Sequence, residues 1–62
     1  METTLVARDL AAVERRLRSD AAEAVSLIAS EHLDAKAAEA VQFAAHQMKR
    51  AAAELEVIRR SL

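Results

Sequence analysis

Sixty-two residues with nine basic and ten acidic side chains, a formal charge of −1, make one small domain with no global attraction to nucleic acid or anionic lipid. Cysteine is absent, which excludes disulfides and thiolate metal sites, and two histidines provide poorly for any other metal; of the usual supports for so short a chain, oligomerisation remains. Glycine and proline are missing where ordinary usage would supply roughly seven, and one Phe with no Tyr or Trp cannot furnish strands, so the fold class is all-α.

The chain opens on Met1-Glu2-Thr3-Thr4, which has neither the basic start nor the apolar stretch of a signal peptide, and no apolar run approaches the ~20 residues of a membrane span. A cytoplasmic location with no membrane partner is expected. Thr3 or Thr4 can cap a first helix running over about 4–30, because a hydroxyl there accepts an orphan N–H of the first turn. Its apolar stripe reads Val6, Leu10, Val13, Leu17, Ala21, Ala24 and Ile28, widened by Leu5, Val25 and Leu27. The spacing drifts toward eleven residues per three turns, nearer a straight helix than a strict supercoil.

Polar residues interrupt the stripe at Ser30-Glu31-His32-Leu33-Asp34, which places a turn over about 30–34. Asp34 is a good N-cap, with Leu33 before it and Ala38 placed for a weak hydrophobic staple. A second helix over about 35–61 then carries a 3-4 alternation through Ala37, Val41, Ala44, Met48, Ala51, Leu55, Ile58 and Leu62, flanked on one side by Ala38, Ala45 and Ala52.

Folding at about residue 32 sets Val6 against Ile58, Leu10 against Leu55, Leu17 against Met48 and Ile28 against Ala37, with Ala21, Ala24, Ala44 and Ala45 letting the helices approach. The single domain is thus an antiparallel two-helix hairpin; with no Gly in the turn, one continuous helix of roughly 90 Å is the alternative. A hairpin cannot enclose its own stripe. Two packed face to face form a four-helix bundle, most simply as a C₂ homodimer. The self-association set is Val6, Leu10, Val13, Leu17, Ile28, Val41, Met48, Leu55 and Ile58.

His46 falls opposite the second seam, with Lys49 and Arg50 one turn further on. It reads as an ordinary exposed polar residue, or as a phosphoacceptor: neutral imidazole is a competent nucleophile near pH 7, and a neighbouring cation stabilises phosphoryl oxygens. The stretch Ala45-His46-Gln47-Met48-Lys49-Arg50-Ala51-Ala52-Ala53-Glu54-Leu55 resembles the signature of histidine phosphotransfer (Hpt) domains. That resemblance implies His46 as the phosphorylated residue and Lys49 as its supporting cation. Arg50 stands where that family carries the glycine that lets a response regulator approach.

Length and architecture, though no motif, are similar to Rop-like RNA-binding hairpin dimers. Arg15, Arg16, Arg18, Lys49 and Arg50 come to one height in the folded hairpin and could contact phosphates. Glu14 to Arg18 and Glu56 to Arg60 are, alternatively, ordinary (i, i+4) pairs, and no aromatics are available for base stacking. Phe43, with Val57 in the same outer row and Arg50 between them, packs on the flank of a wide dimer interface or anchors another protein. No Ser-His-Asp, Cys-His or inward Glu-x-x-His arrangement exists.

The reading is therefore a non-enzymatic, homo-oligomeric hairpin that binds another protein, with no cofactor and no metal. Phosphotransfer through His46 is the runner-up, and nucleic-acid binding through the basic cluster comes third.

Overall fold

The computed structural model describes residues 2–62 and consists of two α-helices, α1 (Glu2–Ser30) and α2 (Ala35–Ser61), packed antiparallel as a hairpin. Helix α1 begins at Glu2, so Thr3 and Thr4 lie inside its first turn and the capping role expected of either is corrected.

The turn is closed by backbone geometry normally reserved for glycine. His32 has φ 50°, the left-handed region, and its N–H donates to Ala29 O (3.4 Å) while Leu33 N–H donates to Ile28 O (3.2 Å). These two bonds are the Schellman pair that satisfies the last carbonyls of a helix. Leu33 and Ile28, the apolar residues that such a motif brings together, are both half-buried. Asp34 then starts α2: its carboxylate accepts from Ala37 N–H at 2.8 Å and its own carbonyl from Ala38 N–H at 2.8 Å. At the far end Arg59 and Arg60 occupy the last turn of α2, where cations complement the helix dipole.

The helices meet along their smallest residues. Ala21, Ala45 and Ala52 are buried, together with one charged residue, Glu14. Lettering heptads with a at Glu14 and Ala21 in α1, and at Ala45 and Ala52 in α2, gives each helix a strict 3-4 seam. In α1 it runs Ala7, Leu10, Glu14, Leu17, Ala21, Ala24, Ile28; in α2 it runs Ala38, Val41, Ala45, Met48, Ala52, Leu55, Arg59, every residue of it buried or half-buried.

Two expectations are thereby corrected. Glu14, not Val13, fills the seam of α1, so the apparent drift disappears. In α2 the centre of the contact is Ala38, Ala45 and Ala52, whereas Ala44, Ile58 and Leu62 are exposed. Close helix approach selects the smallest side chains for the middle and turns the large ones aside. Val6 and Ile58, expected to face each other, are both about half exposed.

Candidate interaction surface

Which side the large residues turn to follows from one ion pair. Arg18 and Glu56, both at heptad position e, bond across the hairpin at 3.2 Å, so the two e rows share one side. The two g rows consequently share the other. They consist of Val6, Val13, Asp20 and Leu27 in α1, and Ala37, Ala44, Ala51 and Ile58 in α2. Beside them lie the d rows, Leu10, Leu17 and Ala24 with Val41, Met48, Leu55 and Leu62. Asp20 is the one charge among the described helical residues of these rows.

Of the residues read from sequence as a self-association set, Leu10, Leu17, Val41, Met48 and Leu55 are d residues and half-buried. Val6, Val13 and Ile58 are g residues, Val13 half-buried and the other two exposed, while Ile28 is a half-buried a residue. Helices that pack on more than one neighbour use a and d together with one flank. Both helices here use g, and the two g rows share one side of the hairpin.

The molecule is one layer thick. Its Cα extents are 48 × 16 × 10 Å and its radius of gyration is 14.4 Å, against about 10.6 Å for a compact domain of this length. Its accessible surface is 4787 Å², and a compact monomer of 6.8 kDa would expose about 3,950 Å². The excess of about 800 Å² equals what one partner contributes to a standard protein interface.

Glu14 and Arg59 lie at a positions and were missed as a site by sequence reading. Arg59 grips the carboxylate with Nε on Oε2 (2.7 Å) and Nη2 on Oε1 (3.2 Å), and Arg18 adds a second cation at 3.7 Å. The hydrogen bond from Arg59 holds the Glu14 carboxyl below its usual range against the opposing effect of burial, with the charges of Arg59, Arg18 and Arg15 adding to it. The same bond raises the Arg59 guanidinium. Their signal in sequence was opposite charge at multiples of seven from buried alanines: Glu14 from Ala21, Arg59 from Ala52.

The remaining candidates are dispersed. Phe43 and Val57 are 64% and 67% exposed on the f row of α2, the edge turned away from α1, with Arg50 between them bonded to Glu54 at 3.6 Å. His46 and Lys49 are both exposed, on the b and e rows, and His46 makes no side-chain hydrogen bond among the described residues. The expected five-cation cluster is not a single patch: Arg16 sits on the c row and Arg50 on the f row, away from Arg15, Arg18 and Lys49, and Arg18 is held by Glu14 and Glu56. Among the described residues no group of three or more His, Cys, Asp or Glu could hold a metal ion, and no helix is long and apolar enough to cross a membrane.

Fold and surface thus define an all-α helical hairpin with one open apolar face. No family model, no curated protein and no solved structure matches the chain.

Proposed function

We propose that this protein is a non-enzymatic interaction module of the cytoplasm, a hairpin whose open apolar face pairs with a second copy to form a four-helix bundle that binds another protein. The observation that carries the reading is the surplus of about 800 Å² of surface in a molecule whose d and g rows form one apolar face. Phe43 and Val57 support the second half of the proposal. They lie off the apolar face, stay in water when it closes, and aromatic residues are common anchors of interfaces.

Replacing Leu17 or Leu55 with Asp places a charge in the middle of that face, and assembly and helicity should fall together because the paired state stabilises the fold. Phe43→Ala should leave the assembled mass unchanged while weakening capture of a partner. Phosphotransfer through His46 stands behind this reading, supported by the exposure of the imidazole with Lys49 one turn on. Incubation with acetyl phosphate tests it: an acid-labile phosphate lost in His46→Gln would favour phosphotransfer over the binding module.

A further inference from the structure

The face opposite the apolar one is cationic, although the chain as a whole is not. Among the described residues the e and b rows carry Arg8, Arg15, Arg18, Lys49 and Arg60 against Glu39 and Glu56, while the remaining acids lie in the seam, on the other rows, at the chain start or in the turn. Glu56 is already held by Arg18 (3.2 Å) and Arg60 (3.1 Å). Arg15 and Lys49, at nearly equal distances from the turn, make no ion pair among the described residues. Among these cations Ala11 is half-buried and Ala53 exposed; nearer the turn Ala22 and Val25 are exposed, on the same side as Gln42, His46 and Glu39.

We infer that this face docks an acidic amphipathic helix of a partner protein, its apolar stripe on Ala22, Val25 and Ala53 and its carboxylates on Arg15 and Lys49, since Arg8 is already paired with Asp9 at 3.7 Å. Small residues let a third helix approach closely, and a helix laid on such a groove is read by its apolar stripe and its flanking charges. The same features argue against nucleic acid. Phosphates would leave Val25 unburied, no aromatic residue offers a stacking platform, and Glu39 and the acids beyond the patch repel a long polyanion. The face lies opposite the d and g rows, so pairing does not cover it, and a chain found helical but unpaired would still present it. Failure of self-association therefore leaves this inference intact.

The test is fluorescence anisotropy with a labelled peptide of about 20 residues, long enough to span ~30 Å as a helix, with an Ala/Leu stripe flanked by Glu. The full chain should bind it, more weakly as salt rises, and Arg15→Glu with Lys49→Glu should weaken binding at least tenfold. Arg16→Glu with Lys36→Glu, on other rows, should change it less than twofold. Helicity and sedimented mass must match wild type in both variants; should the Arg15/Lys49 pair disturb folding, Arg15→Gln with Lys49→Gln replaces it. A Lys-flanked peptide should bind wild type poorly and the charge-reversed variant better. The inference is overturned if the acidic peptide binds the charge-reversed variant as well as wild type, if it does not bind at all, or if a single-stranded oligonucleotide of equal charge binds more tightly.

Discussion

The Glu14 carboxylate, buried in the seam of α1, receives both Nε and Nη2 of Arg59 from the last turn of α2, at 2.7 and 3.2 Å. The pair ties the open end of the hairpin, the end without a covalent connection. Removing one partner from a buried pair strands the other charge, whereas replacing both by apolar residues of similar size is often neutral or better. Arg59→Leu and Glu14→Leu should each lower Tm at fixed protein concentration, and the double variant should recover most of the loss. A thermodynamic cycle by circular dichroism measures the coupling, and simple additivity of the two single effects would contradict it.

The same pair sets an acid limit. Because the folded-state pKa of Glu14 is lowered, its contribution is complete above the ordinary carboxylate value of about 4.3 and is lost as pH falls through the lowered one. For Arg59 the raised pKa acts oppositely, with a contribution present below its ordinary value and lost only at extreme alkaline pH. Chemical denaturation between pH 6 and 2 should therefore show stability falling below about pH 4, more shallowly in Glu14→Gln than in wild type.

How much of this was legible in sequence depended on residue size and charge. The absence of Gly and Pro, and the polar break before Asp34, revealed two helices and their junction, since propensity and capping are local. The facing rows were not legible in the same way. A search for apolar periodicity follows the bulkiest residues, so it passed Glu14 for Val13 and set Ala38, Ala45 and Ala52 at the flank, although close approach puts the smallest residues in the middle. The rows it found in α2 are instead the d and g rows that border the open face. The left-handed backbone at His32 left no trace either, because no glycine marks it.

His32 supplies the next prediction. A left-handed backbone costs an L-residue with a Cβ about 1 kcal/mol that glycine is spared. His32→Gly should stabilise the hairpin by less than about 1 kcal/mol once glycine's freer unfolded chain is counted, which for a domain this small is a rise in Tm of no more than roughly 4–8 °C. His32→Val should do the reverse. Thermal melts at one concentration distinguish them, and a lower Tm for the glycine variant would contradict the Schellman closure.

Ala21 and Ala52, both without solvent exposure, fix the distance between the helices. Ala21→Leu should force them apart and cost about 1–3 kcal/mol by overpacking. Ala40→Leu, on the exposed c row, should stay within about 0.5 kcal/mol of wild type. Equal effects at the two sites, measured by urea denaturation, would show that the alanine seam is not the contact.

Pairing of the open face is tested most directly by sedimentation equilibrium of the full chain at micromolar concentrations, with helicity recorded on the same samples. Wild type should sediment at twice the 6.8 kDa chain mass and be helical, while Leu17→Asp should sediment at the single-chain mass with most of its helicity gone. A wild-type chain that stays fully helical at 6.8 kDa across the whole concentration range would contradict the account.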